Sequence, residues 1–281
     1  MYMFQPEELI ELWFREDIGD GDHTTLSTIP AESTGTARLL VKEDGMIAGV
    51  KIAELIFRKF DPGLRVIAGM HDGETIHTGD TVFTVAGSVR SILQSERLVL
   101  NVMQRMSGIA TETSKYVREL EGTRTSVLDT RKTTPGFRYF EKEAVRIGGG
   151  GNHRIGLYDM ILIKDNHIDF CGGIGQAVES AYAYLSVNKL KMKIEVEVRN
   201  IEDIRNVINT GKADRLLLDN FTLELTREAV KFIDGRLETE SSGGITFQNL
   251  RDYAECGVDF ISVGALTHQV KSLDLSLKAE F

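Results

Sequence analysis

The spacing of apolar residues changes along the chain and divides it into two regions of different texture. In the first region, Glu7–Glu16 and Val50–Phe60 carry apolar residues at helical spacing and are predicted to form amphipathic helices. Thr36–Gly49 and Gly63–Leu93 alternate in the manner of short strands, and Asp44-Gly45 predicts a hairpin turn. The first region is therefore predicted to be a compact α+β domain.

A long helical stretch, Ser95–Gly122, leads into the second region, and Ser107-Gly108 is the place where it could break. Beyond it, short runs rich in Val, Ile and Leu alternate with segments of helical period. Nearly continuous apolar strands that alternate with helices are typical of a parallel sheet, either covered on both faces or closed into a barrel. The six predicted strands are TSVLDT, MILIKDN, KIEVEV, RLLLDN, RLETESSGG and DFISVGA.

Charged residues, amides and glycines stand where these predicted strands end. In β/α barrels the carboxyl ends of the strands form the edge where catalytic groups gather, and the late loops commonly bind phosphate. Six such ends in succession favour an irregular or incomplete α/β barrel over six unrelated surface loops. The residues at these ends are Arg131 and Lys132, Lys164 to His167, Glu197, Asp219 and Asn220, Ser242 to Gly244, and Gly264 and Ala265.

Composition and charge argue against a nucleic-acid-binding, membrane or secreted protein. The 281 residues are enough for two domains with their own cores, and the net charge of −9 argues against nucleic-acid or anionic-membrane binding. No apolar run approaches the roughly 18 residues of a membrane span. Two widely spaced cysteines indicate a reducing compartment, and the acidic, amphipathic start is unlike a signal or transit peptide. We expect a cytoplasmic protein.

Against this acidic background, the segment Asp129–His167 concentrates positive charge around four glycines. Clustered Arg and Lys bind carboxylates and phosphates, so the segment predicts a pocket for a multiply charged anion. The glycines of Gly148–Asn152 follow a helical segment rather than a strand, which excludes a dinucleotide-binding loop and favours a loop that presents His153 and Arg154. The basic residues are Arg131, Lys132, Arg138, Lys142, Arg146, Arg154 and Lys164, with His153 and His167.

Two acids, Glu197 and Asp219, end successive predicted strands. A single buried acid could simply pair with Lys164, whereas two on one rim suit ribose hydroxyls and a divalent cation such as Mg²⁺. Glycines that end the last two strands are turns in isolation, but at this edge they become candidate backbone N–H donors for a phosphate. Glu238, Glu240 and the basic run KLKMK are most simply solvated surface.

Seven motifs occur in one order along the second region and carry a resemblance to a known family. Together they resemble quinolinate phosphoribosyltransferase, also called carboxylating nicotinate-nucleotide pyrophosphorylase. EDIGDGDHTT, SERLVLN and SGIAT in the first region look like the same family, so the resemblance covers nearly the whole chain. The seven motifs are DTRKTTPG, GGGGNHR, LIKDNH, EVEV, LLLDN, SGGI and SVGALTH.

The resemblance implies an N-terminal α/β sandwich over residues 1–107 and an incomplete α/β barrel over 108–267, with a C-terminal helix, 268–281, packing back on the sandwich. It implies a homodimer with shared active sites, and higher oligomers stay open. The implied reaction joins quinolinate to 5-phosphoribosyl-1-pyrophosphate with Mg²⁺ and no organic cofactor. The products are nicotinate mononucleotide, pyrophosphate and carbon dioxide, in NAD biosynthesis.

Site roles follow from the same resemblance. Arg131, His153, Arg154 and Lys164 are expected to bind the quinolinate carboxylates, together with Arg97 from the partner subunit. Lys132 and Lys164 are placed for the phosphoribosyl pyrophosphate. Glu197 and Asp219 are expected near the ribose and the metal, partly through water, and Lys132, Lys164, Glu197 and Asp219 are the catalytic candidates. The 5-phosphate site is assigned to Ser242, Gly243, Gly264 and His268.

Two other functions compete with this interpretation. One is a sister phosphoribosyltransferase of the same fold with another substrate, which the intact NHR and IKDNH motifs disfavour because a dicarboxylate needs their cations. The other is a catalytically silent anion-binding protein. Acids on the same rim as the cations disfavour it, since an anion binder gains nothing from Glu197 and Asp219.

Overall fold

The computed structural model describes residues 6–280, which form two compact units. The first unit contains residues 6–114, 133–149 and 266–280, and the second contains 115–132 and 150–265. The units therefore interleave along the chain, where the sequence predicted two successive domains that meet after residue 107. Up to the long helix the elements are α1 Pro6–Ile18, α2 His23–Thr28, β1 Thr34–Val41, β2 Gly45–Met46, α3 Val50–Phe60, β3 Arg65–Ala68, β4 Thr75–Ile76, β5 Thr81–Ser88 and α4 Val89–Glu119.

Beyond the long helix, strands and helices alternate as the sequence predicts. All six predicted strands of the second region are confirmed. The elements are β6 Ser126–Leu128, α5 Arg138–Ile147, β7 Ile161–Ile163, α6 Asp165–Cys171, α7 Ile174–Asn188, β8 Ile194–Val198, α8 Ile201–Thr210, β9 Arg215–Asp219, α9 Leu223–Ile233, β10 Glu238–Ser242, α10 Leu250–Glu255, β11 Phe260–Ser262, α11 Ala265–His268 and β12 Leu275–Glu280.

The first unit is built on a four-stranded sheet in the order β12-β1-β5-β3. The prediction of a C-terminal helix over residues 268–281 is wrong, because Leu275–Glu280 form strand β12. This strand pairs antiparallel with β1 from Thr36↔Glu280 to Val41↔Leu275. Its sequence LSLKAE has a period of two, with Leu275 and Leu277 buried, which suits a strand packed on one face. The predicted hairpin at Asp44-Gly45 is also wrong, since β2 pairs with β4 instead.

Helix α4 runs without interruption through the place where a break was considered. Gly108 is needed there for packing, since a Cβ would clash with the backbone carbonyl of Lys271. Ser107 accepts the Ala48 N–H at 3.0 Å and so ties the helix to the start of α3. Within residues 6–280, no helix combines the length and the apolar character needed to cross a membrane.

The second unit contains a six-stranded parallel sheet in the order β6-β11-β10-β9-β8-β7. Among the described strands β6 and β7 do not pair, so the barrel is incomplete, as predicted. Gly151 forms a short parallel bridge to Leu128 beside β6. A Cβ on Gly151 would lie 2.6 Å from the Leu128 side chain, which explains why glycine stands here.

The strands of this sheet carry charge on one face and apolar residues on the other. In β8, Ile194-Glu195-Val196-Glu197-Val198, all five residues are buried. Register places Glu195 beside Arg215 and Glu197 beside Leu217, while Glu240 also pairs with Leu217. Because strand side chains alternate between faces, the acids and Arg215 share one face. Contacts among them place that face in the barrel interior, a feature that the expectation of nearly continuous apolar strands did not include.

Candidate active site

The loop after β6 holds the His153 backbone. Asp129, which is fully buried, accepts the His153 N–H at 2.9 Å and the side-chain amide of Asn152 at 2.6 Å. Gly151 accepts the Asp129 N–H at 3.1 Å, so the two segments run side by side. The glycine loop is thus tightly packed and presents His153, as the sequence analysis expected.

The His153 ring is enclosed by two carboxylates and a backbone amide. Nε2 lies 3.0 Å from Glu195 Oε2 and 3.5 Å from Glu240 Oε2. Nδ1 accepts the N–H of Arg154 at 2.7 Å. Burial by itself lowers the pKa of His153, but the hydrogen bonds and charges of Glu195 and Glu240 outweigh it and raise the pKa to about 9.

Arg215 completes this interior cluster. Its Nη1 lies 3.0 Å from Glu240 Oε2 and its guanidinium also reaches Glu238. Burial opposes ionisation of Glu240, yet His153 and Arg215 hold the pKa of its carboxyl below the usual value. Burial, together with the charge of Glu240, raises the pKa of Glu195. The prediction that Glu240 is a surface residue is therefore wrong, since Glu240 is fully buried, while Glu238 stays partly exposed.

Ion pairing accounts for this cluster better than a metal ion does. The ligand atoms of His153, Glu195 and Glu240 lie within 4.8 Å of one another, which is compact enough for a cation. However, Arg215 already donates to Glu240, and its positive charge would repel a metal. We therefore treat the cluster as an arrangement of charged side chains.

Two arginines of the predicted anion pocket lie near each other. Burial, followed by the charge of Arg131, holds the pKa of Arg154 below its usual value. The Arg154 guanidinium donates to the carbonyl of Met160 at 3.3 Å, and Asp159 secures the intervening turn by accepting the Ile155 N–H at 2.7 Å. Like charges held together in a partly buried place are a mark of anion binding.

Lys164 and Glu197 form an ion pair at the carboxyl ends of β7 and β8, with Nζ and Oε2 3.5 Å apart. The Lys164 side chain is half exposed, whereas that of Glu197 is only 10% exposed. On the next strand, Asp219 Oδ2 accepts the side-chain amide of Asn220 at 2.7 Å. Glu197 and Asp219 lie on the same face of neighbouring strands, because Glu197 pairs with Leu217 and Asp219 lies two residues further. Two carboxylates so placed fit Mg²⁺, which prefers few protein oxygens.

The ends of β9 and β10 form a close turn-to-turn contact. Asn220 has a left-handed φ of 55° and donates its N–H to Ser242 at 2.9 Å. Gly243 has φ +88°, and a Cβ on it would lie 3.0 Å from the Asn220 nitrogen and would clash with its side chain. Glycine is therefore required at position 243 by both conformation and space. Gly264 follows β11 at the same edge of the sheet.

The chain matches the family models of both quinolinate phosphoribosyl transferase domains, the N-terminal domain over residues 22–107 and the C-terminal domain over residues 109–278. The chain belongs to the quinolinate phosphoribosyltransferase family. The resemblance carried by the motifs is thereby confirmed, and so is the expected combination of an α/β sandwich with an incomplete α/β barrel.

Individual family members are similar in sequence to this chain over almost its full length. It is 44% identical to quinolinate phosphoribosyltransferase [decarboxylating] 2b, mitochondrial, of Nicotiana tabacum, over 98% of this chain and 82% of that protein. It is 42% identical to the probable nicotinate-nucleotide pyrophosphorylase [carboxylating] of Bacillus subtilis, over 99% and 94%. The crystal structure of NadC from Streptococcus pyogenes superposes with a TM-score of 0.92 at 36% identity and covers all of both chains.

Not every predicted site residue of this family member lies in the second unit. Arg97 is exposed on α4 of the first unit, and His268 is exposed at the end of α11 in the same unit. Arg131, Lys132, His153, Arg154, Lys164, Glu197, Asp219, Ser242, Gly243 and Gly264 all belong to the second. The roles of Arg97 and His268 stay predictions.

Three basic residues of the segment predicted to form the anion pocket lie on helix α5. Arg146 pairs with Glu143 on the exposed side of the helix, with Nε and Oε2 2.9 Å apart. Lys142 is fully buried, and Arg138 donates to Thr133 at 2.9 Å. All three belong to the first unit.

Four residues that surround His153 were not predicted to belong to the site: Asp129, Glu195, Arg215 and Glu240. Two of them had a signal in the sequence, because a buried strand that reads IEVEV or ETESS places acids at alternate positions. Alternating acids on buried strands of a parallel sheet indicate a charged interior. Asp129 had no such signal, since its role depends on the loop that returns beside β6.

Proposed function

We propose that this chain transfers the phosphoribosyl group of 5-phosphoribosyl-1-pyrophosphate to quinolinate, with loss of one carboxylate. The products are nicotinate mononucleotide, pyrophosphate and carbon dioxide, and the reaction belongs to NAD biosynthesis. Family membership supports the reaction. The observation that carries it is the pair of neighbouring guanidinium groups, Arg131 and Arg154, in a unit that also places Glu197 and Asp219 on adjacent strand ends.

Quinolinate binding is assigned to the cationic residues of the second unit. A guanidinium group donates two parallel N–H bonds to a carboxylate, so Arg131 and Arg154 suit a substrate with two carboxylates on adjacent ring carbons. Lys164 supplies a further charge, and Glu197 keeps its ammonium group in place at 3.5 Å. His153 is assigned to the same carboxylates.

The phosphoribosyl donor is assigned to Lys132, Lys164, Glu197 and Asp219. Glu197 and Asp219 would hold Mg²⁺, partly through water, and the ion supplies positive charge for the pyrophosphate when it is bound. Lys132 adds a second cation for the same leaving group. The 5-phosphate is assigned to Ser242, Gly243 and Gly264, whose backbone N–H groups can donate to its oxygens. His268 is assigned to the same phosphate by the resemblance alone.

These side chains can assist both steps of the reaction without forming a covalent bond to the substrate. As pyrophosphate leaves, positive charge develops on the ribose, and the carboxylates of Glu197 and Asp219 stabilise it. When carbon dioxide leaves, the electron pair of the broken bond stays on the pyridine ring, and the ammonium group of Lys164 stabilises that charge until a proton from water bonds to the same ring carbon. Positioning of the two substrates supplies the rest of the acceleration.

Assembly and compartment are part of the proposal. Arg97 is exposed on α4, so it is available to complete the quinolinate pocket of a partner subunit in a homodimer. We place the protein in the cytoplasm on the grounds of its sequence, with no nucleic acid or membrane as partner. Sedimentation and a mixture of Arg97→Ala subunits with Lys164→Ala subunits test the shared site, because mixed dimers regain activity if Arg97 acts across the interface.

One assay tests the reaction itself. The purified protein, with Mg²⁺ and 5-phosphoribosyl-1-pyrophosphate, is expected to release pyrophosphate and carbon dioxide with quinolinate and not with nicotinate. Release with nicotinate alone would identify a sister phosphoribosyltransferase. Binding of quinolinate without any release would identify a silent anion-binding protein. Either result would overturn the proposal.

A further inference from the structure

The charged groups around His153 form a chain of contacts that runs from the barrel interior to an anion-binding arginine. Glu195 on β8 and Glu240 on β10 hold the ring at Nε2, and Arg215 on β9 holds Glu240. At the opposite side of the ring, Nδ1 accepts the N–H of Arg154. Every link is a direct polar contact between named atoms.

This arrangement depends on His153 for its stability. Apart from the contact to His153, the carboxylate of Glu195 has no hydrogen-bond donor among the described residues, although Glu195 is fully buried. Burying ionisable groups is unfavourable, and well-packed apolar residues would often be more stable in their place. A cluster that is unfavourable for stability and lies next to the anion-binding arginines points to a role in function.

The contacts on the ring also define its proton. Nδ1 accepts a backbone N–H at 2.7 Å, so it must carry a lone pair when that bond is made. Nε2 faces two carboxylates and must carry the proton. When the ring carries a single proton, the carboxylates therefore keep that proton on Nε2, and the resulting tautomer is the one that can bind the amide of Arg154.

We propose that Glu195 and Glu240 are positioning residues for the substrate dicarboxylate, because they orient His153 and, through its Nδ1, the backbone of Arg154. The inference rests on the proposed function, since it names residues that prepare the quinolinate pocket before the substrate arrives. Both acids are fully buried, and neither is assigned a contact with the substrate. Their effect passes through His153 to Arg154, whose guanidinium is fixed at its far end by the Met160 carbonyl.

Two substitutions at Glu195 separate the roles of charge and of hydrogen bonding. In Glu195→Gln the amide oxygen still accepts the Nε2–H, so the ring keeps its orientation while the charge is lost. In Glu195→Leu both are lost. Glu195 is the better position to test than Glu240, because its replacement leaves the Arg215–Glu240 ion pair intact. Glu238→Gln is the matched control, since Glu238 binds the outer side of Arg215 and is partly exposed.

Steady-state kinetics of the full-length variants test the proposal. We expect Glu195→Leu to raise the KM for quinolinate on the order of tenfold or more, the usual effect of removing a residue that orients a binding group. The KM for 5-phosphoribosyl-1-pyrophosphate should stay within about twofold, and Glu195→Gln should recover much of the loss. Glu238→Gln should match the wild type. Equal changes in both KM values, or a Gln variant as poor as the Leu variant, would overturn the proposal.

Nitrogen NMR of the imidazole provides a second readout that needs no substrate. Above pH 9, where the ring of the free wild-type protein carries a single proton, the His153 signals should report a protonated Nε2 and an unprotonated Nδ1, and Glu195→Leu should lose this preference. Unchanged signals in that variant would refute the positioning role even if the chain proved inactive on quinolinate. If Glu195→Leu does not fold, Glu195→Ala replaces it in both measurements, and unchanged signals and kinetics in that variant would refute the positioning role.

Discussion

The guanidinium of Arg215 lies between two partners in the barrel interior: the carboxylate of Glu240 at 3.0 Å and the ring of Phe260, 4.0 Å from its centroid. Because Glu240 also contacts His153, this ion pair links β9 and β10 to the loop between α5 and β7. The charged layer thus connects the strands by side chains as well as by backbone hydrogen bonds. The contribution of the Arg215–Glu240 ion pair to the free energy of unfolding can be measured.

Replacing Arg215 by Met should lower the free energy of unfolding by about 3–5 kcal/mol, because it breaks a buried ion pair and leaves the carboxylate of Glu240 without its arginine partner. The matched control is Arg205→Met, which removes an exposed pair with Glu202 on α8 and should change stability by less than about 1 kcal/mol. Urea unfolding of both variants provides the comparison. Similar losses in the two would show that the interior pair is no stronger than a surface pair.

The stability contributed by His153 should depend on pH. The folded pKa is raised from 6.5 to about 9, so the folded protein keeps a proton that the unfolded chain releases between these values. This stabilisation is complete below pH 6.5 and is lost as the pH rises through 9. We expect the difference in unfolding free energy between wild type and His153→Gln to shrink between about pH 7 and about pH 10. A difference that stays constant over that range would mean that the ring does not titrate there.

Position 243 should not tolerate alanine. Gly243→Ala forces a left-handed residue and drives a methyl group against Asn220, whereas Gly244→Ala has φ +63° but no atom within 4 Å of the new Cβ. We therefore expect Gly243→Ala to be less stable than Gly244→Ala by about 1–3 kcal/mol, the range for overpacking. Thermal unfolding measures the difference. The KM for 5-phosphoribosyl-1-pyrophosphate should also rise only in Gly243→Ala, and equal stability of the two variants would argue against the contact with Asn220.

Removing the charge of Glu197 should mainly slow the chemical step. Glu197→Gln keeps the size of the side chain but loses the carboxylate proposed to stabilise charge on the ribose, so we expect kcat to fall about 100-fold or more. Glu202→Gln, on the exposed side of α8, should keep the wild-type kcat. Initial rates at saturating substrates, followed by pyrophosphate release, make the comparison. A kcat within a factor of about two of wild type would remove Glu197 from the catalytic residues.

Much of the fold could be predicted because its signals are local. Helix α3 has the predicted bounds, and the six parallel strands follow from runs of Val, Ile and Leu between helical segments. The C-terminal strand was mistaken for a helix because its pairing partner, β1, lies at the other end of the sequence. Pairing over that distance leaves only a weak local trace, the period of two in LSLKAE.

The residues of the site likewise divide into those that the sequence predicts and those that depend on long-range pairing. Strand-end residues such as Glu197 and Asp219 could be found because parallel strands end at a common edge. The two acids that contact the His153 ring could not be found by that rule, since Glu195 and Glu240 lie inside the strands. Their alternation with Val196 and Ser241 was visible in the sequence, but only a known sheet register turns it into a cluster.

The pairing of β1 with β12 has a consequence for how the chain is made. On the ribosome, β1 is synthesised before the barrel, and its partner β12 is synthesised only after the whole barrel. At about 5–20 residues per second, one edge of the first sheet stays open for roughly ten seconds or longer. An unpaired edge strand can bind other chains, so nascent protein is exposed to misassembly during that interval. Deletion of Leu275–Glu280 would make the open edge permanent.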